Sequence, residues 1–274
     1  MRYKIGEVAR ILGISTDLIR YYEKKGVVKP KKNRSNRYRY YDVWDVNLLI
    51  DCIWYKKMGF GIEEIGRMSN VESHDDLVAR LSARSGEISE SMRYQELLLA
   101  RMRSLTDSIV RVKGGVGVCD LRTNREFLYY LNRKNEIFED TPALRSLNEE
   151  WSRFMPFTKR LFYIGSDTLE GEKDDYRWGY SIGMEYVSYF SIEAVPPVSL
   201  MQENLCVHTT FTSQGGGGFT ARRIDFMKAY AAENKLSPRG FAFGNLICSV
   251  MEDNLLTGYF EAWMPVGYDR PGSE

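Results

Sequence analysis

The first seventy residues show short amphipathic segments separated by turns that contain glycine. Apolar residues recur at three- and four-residue intervals over 5–12 and again over 16–25, which predicts two short helices. Gly13 stands at the turn between them, and Ser15 is a typical N-cap for the second helix. A helix, a short turn with glycine and a second helix form the pattern of a helix-turn-helix.

The next segment, 29–41, is too basic and too polar for a core, and it ends in alternating aromatic residues. We interpret it as a hairpin loop, or wing, that finishes in a strand. Asp42 is predicted to cap a third helix that Gly59 ends, and a fourth short helix is expected over 61–68.

Residues 75–113 contain no proline and a single glycine, Gly86, and predict one long helix. Two series of positions along this helix each repeat every seven residues, and eight of their eleven members are apolar. The first series is Leu81, Ile88, Gln95, Met102 and Ile109, and its partner series is Leu77, Arg84, Ser91, Leu98, Leu105 and Val112. We expect a coiled-coil dimerisation helix and therefore a homodimer. The alternative is a long helix packed on its own C-terminal domain.

From residue 116 onwards the pattern changes to short runs rich in aromatic and β-branched residues, which predict strands. These runs are 116–121, 126–131, 160–166, 180–187, 205–212, 246–251 and 259–266. Helical patterns interrupt them at 144–155 and 219–235. The order predicts an α+β fold, in which a strand-helix-strand-strand unit occurs twice on an antiparallel sheet. We expect domains at 1–71, 75–113 and 116–270.

Charge separates the front of the chain from the rest. Residues 1–70 hold 15 Lys/Arg and 8 Asp/Glu, a formal charge of +7, whereas the remaining residues hold 23 and 29, a charge of −6. A basic front on an acidic body indicates that only the front end meets a polyanion.

Cysteine and histidine are sparse and widely spaced, so we expect no metal site and a reducing compartment. The cysteines are Cys52, Cys119, Cys206 and Cys248, and the histidines are His74 and His208. The start of the chain lacks an apolar signal region, and no apolar run is long enough to span a membrane. The protein is therefore expected to be soluble and cytoplasmic.

The second helix of a helix-turn-helix enters the DNA major groove, so its unpacked residues are candidate DNA contacts. They are Ser15, Thr16, Asp17, Arg20 and Tyr21, of which Arg20 can bind guanine or phosphate. The wing adds Lys31, Arg34, Arg37, Tyr38 and Arg39 as candidate phosphate contacts. Between Arg20 and Tyr40 nine basic residues face one acid, Glu23. The alternative is that this basic loop is only a solvated surface, which is the usual interpretation of such a loop when no helix-turn-helix accompanies it.

The segments YKIGEVARILGIS, LIRYYEKKGVVKP, YRYYDVWDV and KKMGFGIEEI resemble the MerR family of transcription regulators over about residues 3–69. The resemblance implies a dimer that binds an inverted repeat in a promoter whose two elements are too far apart. It then distorts the DNA, so that RNA polymerase, an indirect partner, can use both elements. The family has glycine where Arg37 stands here. Tyr22 and Tyr41 either contact DNA or belong to the core.

Residues 117–267 resemble the gyrase-inhibitor-like effector domain of the multidrug-sensing branch, on strand order and on the closing GYFEAWMPV. This resemblance implies an aromatic pocket for a lipophilic small molecule. Candidate ligand contacts are Tyr163, Trp178, Tyr180, Glu185, Tyr186, Phe243, Tyr259, Glu261 and Trp263. Gly244 and Asn245 stand where related sensors carry an acid. Either Glu261 or Glu185 supplies the negative charge, or the ligand is not cationic. Each of these residues can instead be ordinary core.

We interpret the chain as a ligand-responsive transcription activator and not as an enzyme. One alternative is a small-molecule hydrolase or sequestering protein built on the C-terminal domain, with Glu261 as general base. Another is a constitutive architectural DNA binder with a vestigial body. Gly215–Gly218 precede a helix, but no Lys-Ser/Thr follows, so no phosphate-binding loop and no cofactor are expected.

Overall fold

A computed structural model describes residues 2–32, 38–69, 73–172, 174–214 and 219–268. The chain forms two compact units, 1–92 and 93–274. The wing-tip residues Arg34 and Arg37 and the expected loop Gly215–Gly218 lie outside the described residues. Within the described ranges, no helix is both long enough and apolar enough to cross a membrane.

The N-terminal unit contains four short helices and a small sheet of order β1-β3-β2. Its elements are β1 (Tyr3–Lys4), α1 (Ile5–Leu12), α2 (Thr16–Lys24), β2 (Lys31–Lys32), β3 (Arg39–Tyr41), α3 (Val43–Lys57) and α4 (Ile62–Met68). Gly13 ends α1 in the left-handed region at φ +66°, a conformation that glycine adopts without a steric penalty. The predicted helix-turn-helix, hairpin and third and fourth helices are all present.

A small apolar core holds this unit together. Val8 of α1, Ile19 and Tyr22 of α2, Leu49 of α3 and Ile65 of α4 are buried against one another. These residues come from the inward faces of all four helices, and α2 contributes two of them. The helix-turn-helix geometry therefore depends on contacts with α3 and α4 as well as on the turn.

The long helix α5 extends continuously from His74 to Gly114. Asp75 and Asp76 lie in its first turn, and Arg111 and Lys113 lie in its last, which is the favourable orientation for the helix dipole.

The C-terminal unit is built around a ten-stranded antiparallel sheet. After α5 it contains β4 (Asp120–Thr123), β5 (Phe127–Lys134), β6 (Ile137–Phe138), α6 (Pro142–Ser152), β7 (Thr158–Ile164), α7 (Ser166–Leu169), β8 (Arg177–Gly183), α8 (Met184–Phe190), β9 (Ser199–Met201), β10 (Leu205–Gln214), a 3₁₀ helix (Ala221–Ile224), α9 (Asp225–Glu233), β11 (Leu236–Pro238), β12 (Ala242–Glu252) and β13 (Leu255–Tyr268).

The sheet order β4-β10-β13-β12-β7-β8-β5-β6 shows the expected duplication. The first half is β5-α6-β7-β8 and the second is β10-α9-β12-β13, so each is strand, helix, strand, strand. The two halves meet where β12 pairs with β7. This arrangement agrees with the α+β fold predicted from the sequence.

The two faces of the sheet differ in what covers them. On one face Phe162 and Phe260 pack with Met227 of α9, and Tyr130 packs with Trp151 of α6. We call this the helix-covered face. The opposite face carries Tyr163, Phe243, Asn245, Glu261 and Trp263, whose cross-strand register places them together. We call this the open face.

Two predicted strands are partly wrong. The run 116–121 becomes a strand only at Asp120, where β4 begins. The run 180–187 was expected to be extended throughout, but β8 ends at Gly183 and α8 begins at Met184. Gly183 takes the extended N-cap conformation, and Tyr186 then reaches the core under α6. Aromatic and β-branched composition favoured a strand, but burial of one helical face decided the outcome.

Gly244 is a position at which the sheet leaves no room for a side chain. A Cβ there would lie 2.0 Å from the Glu261 carbonyl oxygen and 2.4 Å from the Phe162 ring. We expect Gly244→Ala to lower the free energy of unfolding by about 1–3 kcal/mol because the sheet must shift to admit the methyl group. Thermal unfolding followed by near-ultraviolet circular dichroism measures the effect.

The matched control is Gly86→Ala, where the helix offers open space for a Cβ. Alanine is the better helix former, so this change should stabilise by about 0.5–1 kcal/mol. Equal stability of Gly244→Ala and the wild type would contradict the close packing described for the sheet.

Candidate functional site

The exposed side of α2 carries the residues predicted to meet DNA. Ser15 caps the helix, since its Oγ accepts a hydrogen bond from the Leu18 amide at 3.1 Å. Asp17 and Arg20 form an exposed ion pair of 3.0 Å, and Tyr21 is also exposed. The basic and aromatic groups of this surface are therefore accessible to a phosphate backbone.

Glu23 joins α2 to the wing. Its carboxylate accepts a hydrogen bond from Arg39 Nε at 2.9 Å and another from the hydroxyl of Tyr41. Burial, and after it the hydrogen bond to Glu23, raises the pKa of Tyr41, so its hydroxyl stays protonated and keeps donating. The one acid among the basic residues thus orients Arg39 and fixes β3 beside α2.

The aromatic residues of this region divide into two groups. Tyr22 and Tyr41 are buried in the core, which settles the alternative left open by the sequence. Tyr38 is exposed, as is Lys31 at the other side of the hairpin. The exposed surface of this region is formed by α2 and by the strands of the wing.

A cavity of about 570 Å³ lies on the open face of the C-terminal unit. We call it the cleft. Strand residues from β4, β5, β8, β10, β12 and β13 line one side of it, and the end of α5 lines another through Ser104, Ser108 and Arg111. A ligand of this cleft would therefore touch the sheet and the long helix at the same time.

A chain of polar side chains crosses the floor of the cleft. Ser181 Oγ donates to Asn245 Oδ1 at 3.2 Å, and Asn245 Nδ2 donates to Glu261 Oε1 at 3.2 Å. Ser181 and Asn245 are buried. One Glu261 oxygen thus has a protein partner, which holds the carboxylate in place without neutralising it.

A second polar group lies beside it, at His208. Its ring packs on Trp263 with centroids 4.3 Å apart, and its Nδ1 lies 3.0 Å from Asp120 Oδ1. Burial lowers the pKa of His208, although the hydrogen bond to Asp120 opposes that shift. Burial by itself raises the pKa of the Asp120 carboxyl group, but the hydrogen bonds from Arg122 and His208 outweigh burial and lower that pKa.

Charges of both signs line the cleft. The acids are Asp120, Glu126, Glu185 and Glu261, and the bases are Arg111, Arg122, Arg125 and Lys159. Aromatic surface comes from Phe127, Phe243 and Trp263. The arrangement suits a molecule that has an aromatic body and more than one polar group. Among the described residues, no cluster of three or more His, Cys, Asp or Glu side chains could hold a metal ion.

The residues predicted for ligand binding occupy several places. Glu185, Phe243, Glu261 and Trp263 line the cleft. Trp178 and Tyr180 line a separate cavity on the helix-covered face. The other three lie outside both linings: Tyr163 stacks on Phe241, Tyr186 packs on Phe157 in the core, and the Tyr259 hydroxyl donates to Glu252 at 2.5 Å.

Other cleft residues were missed by sequence reasoning, notably Ser181, His208, Asn245 and the end of α5. The sequence placed His208 only within the predicted strand run 205–212. The available signal was the pairing of strands, because His208 lies opposite Trp263 and Asn245 lies opposite Glu261. Cross-strand pairing depends on register, which a single sequence does not show.

These features define a winged helix-turn-helix DNA-binding protein with an added C-terminal domain. Residues 3–71 match the family described as MerR HTH family regulatory protein. The HTH-type transcriptional regulator CueR of Escherichia coli is 35% identical over 107 residues, which cover 35% of this chain and 79% of that protein. The chain belongs to the MerR family and is a DNA-binding transcriptional regulator.

Two further similarities extend to other parts of the family. The HTH-type transcriptional activator Mta of Bacillus subtilis is 24% identical over 115 residues, which cover 42% of this chain and 43% of that protein. The solved EcmrR–DNA complex aligns with 97% of this chain and 100% of its own, at 15% identity and a TM-score of 0.39.

The lowered pKa of His208 predicts how the stability of the fold changes with pH. Because the folded state lowers this pKa below the ordinary 6.5, the unfolded chain binds the proton more readily. Stability linked to His208 is therefore fully present above about pH 6.5 and is lost as the pH falls towards the folded pKa. Protonation of Asp120 removes further stability only below the ordinary pKa of 3.8.

Nuclear magnetic resonance of the ring protons measures this directly, since the chain has only two histidines and the exposed His74 serves as the reference resonance. His208→Asn identifies the second resonance. A titration midpoint of His208 above pH 6.5 would show that the hydrogen bond to Asp120 outweighs burial, and it would contradict the lowered pKa described here.

Proposed function

We propose that this regulator is a ligand-responsive transcription activator. It binds a promoter inverted repeat as a homodimer and distorts it when a lipophilic small molecule occupies the cleft. The observation that carries the proposal is that α5 contributes Ser104, Ser108 and Arg111 to the cleft and also presents an unpartnered apolar stripe. One helix thus connects the ligand to the dimer.

DNA recognition uses the exposed surface of α2 and the wing. Arg20 and Tyr21 lie on the helix that enters the major groove, and Lys31, Tyr38 and Arg39 lie where a wing follows the phosphates. Two such surfaces in a dimer require an inverted repeat. Bending and untwisting of the promoter then align its elements for RNA polymerase, which is an indirect partner.

The dimer contact is a stripe along α5. Its exposed apolar members are Val78, Leu81, Ile88, Met92, Leu99, Met102 and Ile109, whose exposed fractions range from 36% to 60%. With Ser85, Gln95 and Thr106 they alternate at spacings of three and four residues, which is a complete a/d heptad seam. We call this set the seam.

The seam that we propose differs from the pairing inferred from the sequence. Leu81, Ile88, Gln95, Met102 and Ile109 belong to it as expected, but the partner series is displaced by one residue. Members of the expected series contact the chain's own units: Leu77 packs on the N-terminal core, Leu98 packs on the C-terminal core, and Val112 is buried. The helix therefore uses one apolar side internally and a different side for its partner.

A second copy of this chain is the occupant that fits the seam. Heptad seams pair with like seams, and ten consecutive seam positions give a contact of four to five heptads along one continuous helix. Cyclic twofold dimers are built from one self-complementary patch of this kind, which also matches an inverted repeat in the DNA.

Coupling follows from the position of the cleft on the same helix. The segment directly after α5 is tied to β10, since Thr210 Oγ1 donates to the Gly115 carbonyl at 2.9 Å and the Gly117 amide donates to the Thr210 carbonyl at 2.8 Å. A ligand between Trp263 and Ser108 touches the sheet and the helix together. Occupancy therefore favours one placement of α5, which the dimer transmits to the DNA.

The cleft also allows the alternative of a hydrolase, with Glu261 as general base. Its carboxylate faces the cleft with Asn245 as a fixed partner, so the group is positioned for either role. The curated relatives are regulators, which favours binding without turnover. Recovery of the bound compound distinguishes the two, because a hydrolase consumes it with turnover.

The seam is tested by two neighbouring substitutions. Met92→Lys places a charge in the seam, where burial of an unpaired ammonium is costly, so the dimer should dissociate to a monomer at micromolar concentration. Analytical ultracentrifugation measures the mass, and circular dichroism reports whether the fold is retained.

Ser91→Lys is the matched control, because it introduces the same charge one residue away and outside the seam. We expect it to remain dimeric. Dissociation by Ser91→Lys with Met92→Lys still dimeric would restore the register expected from the sequence and would refute the corrected one.

The ligand role is tested with a lipophilic cationic dye, rhodamine 6G, and a neutral dye of similar size, using calorimetry on the full chain. Trp263→Ala should weaken both dyes about tenfold or more, because an aromatic contact is lost. Glu261→Gln should weaken only the cation. Transcription in vitro, from a promoter selected with the wild-type protein, should rise with dye for the wild type and not for Trp263→Ala.

Trp44→Ala controls for loss of a tryptophan, since Trp44 is 76% exposed in the N-terminal unit. Saturable binding that Trp263→Ala does not alter would place the ligand outside the cleft. No saturable binding of either dye, with DNA binding intact, would favour the constitutive architectural binder.

A further inference from the structure

A second cavity, of about 410 Å³, opens on the helix-covered face of the same sheet. Leu246 and Phe260 line it, whereas their chain neighbours Asn245 and Glu261 line the cleft on the open face. Strand alternation therefore places the two cavities on opposite faces of the sheet. A molecule in one of them does not contact a molecule in the other.

The apolar part of this cavity is a cluster of rings. Trp178, Phe219 and Phe260 surround one another with centroids 5.1 Å to 6.2 Å apart. Phe138 adds an exposed ring at the edge. A planar aromatic ligand finds stacking and edge contacts here.

Two arginines supply positive charge to the same cavity. The guanidinium of Arg133 lies 5.2 Å from the Trp178 ring centroid and 5.4 Å from that of Phe138. Arg160 is brought in by register, since it pairs with Tyr180 on one side and with Leu246 on the other. No ion pair of Arg133 or Arg160 with a carboxylate occurs among the described residues.

Two residues that line this cavity each hold a buried donor without an acceptor. Arg133 Nε and Trp178 Nε1 are inaccessible to solvent and have no hydrogen-bond partner within the described residues. Buried donors are normally satisfied, since leaving one without a partner is costly. Glu136 is the one acid among the lining residues, which include the two arginines Arg133 and Arg160. Its carboxylate already accepts a hydrogen bond from the Tyr176 hydroxyl at 2.7 Å.

We propose that this cavity is a second ligand site, specific for aromatic carboxylates. The carboxylate pairs with Arg133 and Arg160, and the ring lies among Trp178, Phe219 and Phe260. The two sites differ in the charge of their linings, because the four acids and four bases of the cleft balance, whereas two arginines and one acid line this cavity. The inference is independent of the effector role of the cleft, because the two sites share no lining residue.

Calorimetry with naphthalene-2-carboxylate on the full-length protein tests the site. The wild type should bind it saturably, and the matched cation, 2-naphthylmethylammonium, should bind at least tenfold more weakly. Arg133→Gln and Arg160→Gln should each weaken the carboxylate about tenfold, the size expected for one charge-assisted hydrogen bond. Arg145→Gln, an exposed arginine of α6 outside the lining, should leave the affinity unchanged. Circular dichroism checks that each variant is folded.

Arg122→Gln decides which cavity holds the probe, because Arg122 lines the cleft on the opposite face. A loss with Arg133→Gln and Arg160→Gln that exceeds the loss with Arg122→Gln supports the proposal. An equal or larger loss with Arg122→Gln places the probe in the cleft and overturns it. No saturable binding by the wild type up to about 1 mM also overturns it.

Discussion

Successive side chains of a β-strand point to opposite faces, and the C-terminal unit depends on this constraint. In β13 the alternation sends Phe260 into the helix-covered core and Glu261 into the cleft. The same alternation in β12 separates Leu246 from Asn245. A shift of one residue in either strand would exchange the core with the polar floor, so the apolar burial that stabilises the sheet also positions the site.

The long helix obeys the analogous constraint with a period near 3.5 residues. Val112 is buried, while Ile109, one turn earlier, is exposed on the seam. Because the internal and exposed apolar sides are offset, the proposed dimer contact does not compete with the packing of α5 on its own sheet. In the proposed function, the dimer contact and the ligand contact belong to one continuous helix.

Polar groups in both units perform orienting roles. Glu23 accepts from Arg39 and Tyr41 and so places the wing beside α2. In the cleft, Asn245 holds Glu261, and Asp120 holds the His208 ring against Trp263. Fixed side chains lose little entropy when a partner binds, which is how a small number of contacts can give a useful affinity.

The sequence by itself determined the N-terminal unit, α5 and the α+β class, since each has a local signal: Gly13 and Ser15 at the turn, an uninterrupted helical run, and alternating strands around two helical patterns. It also supplied Glu261 and Trp263 through the resemblance of the closing strand. Only the tertiary structure decided that Leu98 packs on the C-terminal core, that Glu185 lies on a helix, and that His208 and Asn245 join the cleft. Seam register and strand register are set by burial against distant residues, and such contacts leave no local pattern in the sequence.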